Sequence, residues 1–329
     1  MEKHFAAAVP AARTAGRPGR NCPLAYRYGA AALNRASDLR ADTLWIAGGL
    51  YGNTSALQAL LDAYAADGGD KALVFNGDFH WFDVDAASFD LINETALGFH
   101  AMRGNVETEL AAPSDDAGCG CAYPDWVGDG TVEHSNRIIE RLRATARQSP
   151  EALARLSDLP MHFVARVGDA RIAIVHGDAE SLAGWGFSQE ALSTRTGLRE
   201  AQRAVDEARV DIFASSHTCL PVLQRLEKGS VVVNNGATGM PNFRGETFGV
   251  VTRISVEASR NALYAVRKGK VFIEAIPLRY DAAAWQKRFL AQWPPESSAH
   301  QSYWDRIVGG PNYQQHQALR LSRYASCGA

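Results

Sequence analysis

The chain alternates between short apolar runs of strand length and longer stretches whose apolar residues recur at helical spacing. TLWIA (Thr43 to Ala47) and ALVFN (Ala72 to Asn76) are of the first kind. Between them Leu57, Leu60, Leu61 and Tyr64 share one helical face, so the opening predicts a strand, a helix and a second strand. Another strand-like run, GFHAMRG, leads up to Asn105. The rhythm then stops in DDAGCGCAYPDWVGDG, which has no period and predicts an inserted loop. From Thr131 to Leu159 helical spacing returns, with Ile138, Ile139, Leu142 and Ala146 on one face and Ser149-Pro150 dividing two helices.

Strand character resumes in HFVARVGDARIAIVHGD, a hairpin turning at Gly168-Asp169. It continues in DIFASS, SVVVNNG, FGVVTRISV, ALYAVRKG and KVFIEAIPL, so the second half is expected to build an antiparallel or mixed sheet packed on the first. From Asp281 onward Trp285, Phe289, Trp293 and Trp304 predict a helical appendage covering one face. The class is α/β. The expected divisions are a flexible tail and lead-in over 1–40, a main domain over 41–280 with an insertion at about 111–160, and the appendage over 281–329.

Composition narrows the partners. The 329 residues are 46% hydrophobic and 21% charged, an ordinary globular balance with room for a sizeable core. A net charge of -2 gives no basic field to gather a nucleic-acid polymer or an acidic membrane surface, so an anionic ligand needs a local site. The five cysteines, Cys22, Cys119, Cys121, Cys219 and Cys327, are few and odd in number, which suits a reducing compartment. No apolar run approaches the ~20 residues of a membrane helix, and the N-terminus lacks the apolar core of a signal peptide. A cytoplasmic location is expected, with an undetermined oligomeric state.

The chemistry gathers just after predicted strands: FNGD at Asp78, MRGN at Asn105, IVHGD at His176, ASSHTC at His217 and NNGATG from Asn234 to Gly239. Strand ends are where α/β folds build sites, because loops converge there on a rigid sheet. One carboxylate, one amide oxygen and two imidazoles make a coherent ligand set for a divalent Zn, Mn or Fe ion. One strand-end turn is quiet: GGLYGN, Gly48 to Asn53, carries no strong metal ligand.

In order, the GD, GN, strand-end HG, H-T and N-x-G motifs resemble the calcineurin-like metallophosphoesterases over roughly Thr43 to Ile276. The resemblance implies two mixed sheets sandwiched by helices in four layers, and two metal ions about a bridging aspartate, with a metal-activated water attacking phosphorus. Matched residue by residue, Asp78 takes the place of the bridging aspartate, Asn105 of the asparagine ligand, His176 of the fourth-motif histidine and His217 of the first histidine of the fifth motif. That set completes one metal position. The other position normally draws on a D-x-H turn and a second histidine, where this chain has Gly49, Tyr51 and Cys219. GGLYGN is thus the family's turn without its ligands, and Val106 stands where the family places a proton-donating histidine.

The implied function is a metal-dependent phosphoester hydrolase, mononuclear or with a rebuilt second site. The alternative is a phosphate- or nucleotide-binding module that keeps one metal. His80, Asp83, Glu107, Glu109, Asp178 and Glu180 flank the motifs as replacement ligands or general acids, with Asp78, His176 and His80 expected as catalytic groups. Cys219 is expected at the metal, while Cys119 and Cys121 are either further ligands or buried thiols. Asn53, Arg103 and Arg244 are candidate substrate contacts. Tyr51 either bonds a phosphate oxygen or fills vacated space.

Overall fold

The computed structural model describes residues 17–321, so the first sixteen residues of the expected tail, and Cys327, lie outside it. The described part of the lead-in is packed: the Arg20 guanidinium donates to the carbonyls of Pro124 and Val127 and pairs with Asp129. Strands β1 (Leu39–Ala41) and β2 (Thr43–Ala47) follow and join different sheets. β2 leads through helix α1 (Thr54–Ala66), β3 (Lys71–Asn76) and α2 (Ala86–Leu97) to β4 (His100–Met102), with β2, β3 and β4 parallel. Asn53 starts α1 by accepting the Ala56 N–H on Oδ1 at 3.0 Å, and Asp85 starts α2 on Ser88 in the same way.

Every residue of β2 is buried, because both of its faces are covered. Leu44 and Ile46 point between the sheets, and Trp45 and Ala47 point into the helical layer. The chain after β4 does not stay irregular at once: a short helix α3 (Asn105–Ala111) precedes the Gly-rich loop. The insertion then supplies α4 (Asp129–Ala146), which buries the predicted face of Ile138, Ile139, Leu142 and Ala146, and α5 (Pro150–Ser157), with Pro150 in its first turn.

The hairpin of β5 (His162–Val167) and β6 (Ala170–Val175) turns where expected, with Gly168 at φ +53°. An amphipathic helix α6 (Arg195–Ala208), unexpected from the sequence reading, leads to β7 (Ile212–Ser215), β8 (Val222–Arg225) and β9 (Val231–Asn234). Strands β6, β7 and β9 are parallel, so the hairpin opens a second parallel set.

The later strands return to the first sheet. β10 (Gly249–Ser255) pairs antiparallel with β2, followed outward by β12 (Val271–Leu278) and β11 (Tyr264–Lys268). Because β10 is buried at all seven positions, it needs a central place, which the middle of the first sheet offers. Helices α7 (Ala282–Gln292) and α8 (Ser298–Gly309) follow, then a short turn of helix, α9 (Gln315–Ala318), and β13 (Leu319–Arg320) on the edge beside β8.

The sheet orders are β1-β5-β6-β7-β9-β8-β13 and β11-β12-β10-β2-β3-β4. Leu44, Ile46, Val74 and Met102 of one sheet meet Ile172, Ile174, Ile212 and Val233 of the other. Outside the first sheet lie α1, α2, α4, α7 and α8; outside the second lies α6. These are the four expected layers. The predicted appendage belongs to the outer helical layer, since Trp285, Phe289 and Trp293 enter the same core as α1 and α4.

The loop from β9 to β10 crosses between the sheets beneath the Gly48–Asn53 turn. Thr238 and Gly239 donate their N–H groups to the carbonyls of Gly48 and Gly49, each at 3.0 Å, and Asn53 Nδ2 donates to the Gly239 carbonyl. A Cβ on Gly239 would lie 1.8 Å from the Leu50 carbonyl oxygen, a backbone atom that cannot swing away. Gly239→Ala is therefore expected to destabilise the protein by about 1–3 kcal/mol. Urea unfolding at constant slope should show a lowered midpoint, and an unchanged midpoint would mean the turn is not clamped this way.

Candidate metal centre

The C-terminal ends of the two parallel strand sets face each other, and they bring the four predicted ligands to one point. Asp78 follows β3, Asn105 follows β4, His176 follows β6 and His217 follows β7. His176 Nε2 lies 3.3 Å from Asp78 Oδ2, 3.2 Å from Asn105 Oδ1 and 3.3 Å from His217 Nδ1. Ligand atoms of Asp78, His176 and His217 all fall within 4.8 Å of one another. All four residues are at least 95% buried.

The protons on these groups are fixed from outside. His176 Nδ1 sits 2.8 Å from the Asn76 carbonyl and His217 Nε2 sits 3.0 Å from the Cys121 carbonyl. A carbonyl only accepts, so each neutral ring carries its proton on that outward nitrogen and turns a lone pair inward. Asn105 Nδ2 donates to the Cys119 carbonyl at 3.0 Å, which leaves its Oδ1 facing the centre. Burial and the facing His176 push His217 down to about 4, so it is neutral at physiological pH. Burial opposes the charge on Asp78, yet His176, His217 and the Val106 N–H hold its carboxyl below the ordinary range. Burial opposes a charge on His176, but the facing Asp78 raises its pKa, which favours a proton on the inward Nε2 that a divalent cation would displace. Four acceptors would then face inward, each oriented by an outer hydrogen bond, as metal ligands commonly are.

Glycines and one carboxylate allow this convergence. A Cβ on Gly104 would lie 2.3 Å from Asp78 Oδ1, and one on Gly77 would lie 2.5 Å from the Gly104 nitrogen. Glu107 accepts from the N–H groups of Asp78 and Gly104 at 2.8 Å and of Phe79 at 3.0 Å, which ties the NGD loop to the RGN loop. In the Gly-Cys loop the left-handed residues Gly118, Gly120 and Ala122 alternate with ordinary ones, and the carbonyls of Cys119 and Cys121 reach Asn105 and His217. That loop serves the centre through these carbonyls and through Cys121 Sγ, which also accepts from Asn105 Nδ2 at 3.7 Å.

The second metal position of the resemblance is filled by side chains. The Tyr51 ring lies over Gly49, where a Cβ would meet it at 2.8 Å, and Tyr51 Oη is 2.7 Å from Cys219 Sγ. Both Tyr51 (φ +55°) and Cys219 (φ +62°) have left-handed backbones. Cys219 therefore does not act as the expected ligand: its Sγ is spent on Tyr51 and on the His217 carbonyl at 3.3 Å. Among the described residues, the only clustered ligand group of this kind is Asp78, His176 and His217.

Several expected site residues work elsewhere. His80 is fully buried, bonded to Asp83 through Nδ1 at 2.5 Å and stacked on Phe89, so it faces α2 and not the centre. Asn53 spends both ends on the α1 cap and the Gly239 carbonyl. Arg103 donates to the Ser157 carbonyl in the insertion. Arg244 is exposed and bonds Asn312. Asp83, Glu107 and Glu109 are internal braces; Glu109 accepts from Tyr26 Oη at 2.6 Å and pairs with Arg143 at 2.7 Å. Asp178 closes its own turn on Glu180, Ser181 and Gly186.

What sequence reasoning missed is an aromatic enclosure. Trp81, Tyr123, Trp185 and Tyr303 join Tyr51 and Val106 around a cavity of about 40 Å³ that touches Asp78, Asn105 and His217. These residues come from the GDFHW loop, the Gly-Cys loop, the segment after β6 and α8. Nothing in local periodicity marks them, although each lies close in sequence to a motif or in the Trp-bearing C-terminal segment.

No family model matches the chain, and no curated protein matches it. Among solved structures, a hypothetical protein from Pyrococcus horikoshii aligns over 82% of this chain and 99% of its own, at 16% identity and a TM-score of 0.57. A metallophosphoesterase from Sphaerobacter thermophilus aligns over 82% of this chain and 100% of its own, also at 16% identity, with a TM-score of 0.55. The fold of this chain is the calcineurin-like metallophosphoesterase fold.

His217→Ala should sharply lower the ions found per chain by elemental analysis, and Glu107→Gln, which touches no ion, should weaken metal affinity roughly 10–100-fold. Wild-type affinity in both would rule out this centre. Gly49→Asp alone should gain no second ion, because the Tyr51 ring occupies the place of the new carboxylate. Combined with Tyr51→His and Cys219→His it should raise the stoichiometry from one ion to two.

Proposed function

We propose that the protein is a metal-dependent phosphoester hydrolase built around one tightly held divalent ion, Mn, Zn or Fe. The observation that supports this most is the convergence of four potential ligand groups, Asp78, Asn105, His176 and His217, each oriented from outside. An ion held there would supply Lewis-acid polarisation of the ester and make water more acidic. The chain's own groups do the rest. The aromatic enclosure excludes bulk water, and its cavity of about 40 Å³ has room for about three water molecules. That is far below the roughly 300–1,000 Å³ of a site that swallows a whole ligand. Only the phosphoryl end of a substrate enters.

Tyr51 Oη and Cys219 Sγ line this cavity beside Asp78. Burial and the neighbouring Cys219 keep Tyr51 well above its usual range, and burial likewise raises Cys219, so both remain protonated donors at neutral pH. Their hydrogens are already given to Cys219 Sγ and to the His217 carbonyl, so the pair fills the place where the family's second ion would sit. The substrate we infer is a small phosphorylated molecule, with no nucleic-acid polymer or membrane, since a net charge of -2 provides no basic field. Among the described residues no helix is long and apolar enough to cross a membrane. The free thiols of Cys22, Cys119, Cys121 and Cys219 suit the cytoplasm.

Two observations favour the second reading, a phosphate- or nucleotide-binding module that retains the ion. Val106 offers no proton to a leaving group, and Gly49 and Tyr51 cannot hold a second ion. The deciding experiment compares wild type with Asp78→Asn, prepared identically with Mn or Zn, on phosphomonoesters and phosphodiesters. The hydrolase reading expects slow turnover that falls on the order of 10²–10³ in the variant. Equal rates, with metal bound only in the wild type, would leave the binding module.

A further inference from the structure

The enclosure of the metal cavity has an outer side. Tyr123 and Trp185 line both the small cavity and an open hollow of about 1050 Å³ beyond it. Trp185 is tied to the centre: its ring centroid lies 5.6 Å from that of His217, and its Nε1–H donates to the Cys121 carbonyl that also holds His217. The hollow therefore begins one ring away from a predicted ligand.

Its chemistry differs from that of the centre. Trp126, 64% exposed, stands edge-on to Trp185 with centroids 6.3 Å apart and planes at 87°, so the two indoles form a corner. A flat ring lying on one indole presents its edge to the face of the other, and both contacts are favourable. Arg20 and Arg27 line the hollow against Asp125 and Glu180, and the Arg20 guanidinium is already spent on backbone carbonyls and Asp129. With its charges balanced, the hollow has no field for a phosphate. Its carboxylates accept from hydroxyl or amino groups.

We propose that this hollow binds the nucleoside part of a nucleotide, with the base on the Trp126–Trp185 corner, the sugar hydroxyls toward Asp125 and Glu180, and the phosphate directed past Tyr123 and Trp185 to the centre. This rests on the phosphoester reading above for the phosphate end only. Stacking tolerates any base, so the specificity is for a nucleoside and not for one nucleobase.

The test is calorimetric binding to metal-loaded protein of three probes: adenosine, and the non-hydrolysable phosphonate analogues of adenosine 5′-phosphate and ribose 5-phosphate. The adenosine phosphonate should bind roughly 5- to 150-fold more tightly than the ribose phosphonate, the span of one stacked base. Trp126→Ala should abolish most of that preference while leaving metal content and ribose phosphonate affinity unchanged. Trp185→Phe provides a second, milder variant. Equal affinity of the two phosphonates in wild type overturns the proposal and leaves the hydrolase reading standing, as does a preference that survives both variants. Adenosine binding as tightly as its phosphonate, with both weakened by Trp126→Ala, supports the nucleoside hollow and instead removes the phosphoester reading.

Discussion

The carboxylate of Glu107 holds the centre together. It gathers the N–H groups of Asp78, Phe79 and Gly104, so the loop after β3 and the loop after β4 share one acceptor. Asp78 needs this restraint, because its φ of +52° lies in the left-handed region, which costs roughly 1–2 kcal/mol in an ordinary residue. In return its Oδ1 takes the Val106 N–H and its Oδ2 reaches His176. Gly77 and Gly104 are required for the same reason, since any Cβ there would occupy the space in which the two loops meet. The first sheet thus presents Asp78 and Asn105 as one rigid unit, and the second presents His176 and His217 as another, joined where the Ser216 and His217 N–H groups meet the His176 carbonyl.

Gly49, Tyr51 and Cys219 depend on one another. Gly49 makes room for the Tyr51 ring, whose hydroxyl needs a polar partner in a buried place, and Cys219 is that partner. Arg306 of α8 donates to the Cys219 carbonyl at 2.7 Å and to the Pro241 carbonyl at 3.0 Å, which fixes the turn that carries the thiol. The C-terminal helices are therefore part of the site as well as of the helical layer, and α8 supplies both this anchor and Tyr303 of the enclosure.

The fold was legible because strands buried on both faces read as unbroken apolar runs, as in β2 and β9, and because the polar motifs stand directly after them. The convergence of Asp78, Asn105, His176 and His217 was legible for the same reason: the end of a central strand in this architecture leaves little choice of direction. Side chains one turn further along were not. His80 lies two residues from Asp78, yet Phe89 and Asp83 draw it into α2. Asn53 reads as a phosphate contact in the motif but is consumed by a helix cap. The Gly-Cys loop invited a reading from its thiols, while its shortest contacts to the centre come through carbonyls oriented by alternating left-handed residues, and residue type alone does not reveal that. Arg244 sits in a turn next to a motif, but the turn faces the C-terminal segment.

Enclosure and ligand set reinforce each other. Lone pairs and a carboxylate directed at one point repel, and the repulsion is greater where aromatic side chains replace water. The donor the chain itself can offer to that repulsion is a proton on His176 Nε2, which the facing Asp78 favours and burial opposes. A cation relieves the repulsion, and the same low-dielectric surroundings that penalise the bare cluster strengthen each contact to the ion. A chain keeping this architecture only as a scaffold would lose nothing by placing a hydroxyl or amide donor at one of the four positions. Instead Asn105 is turned by the Cys119 carbonyl so that its oxygen, not its N–H₂, faces inward, a choice that stabilises the fold only when positive charge is present.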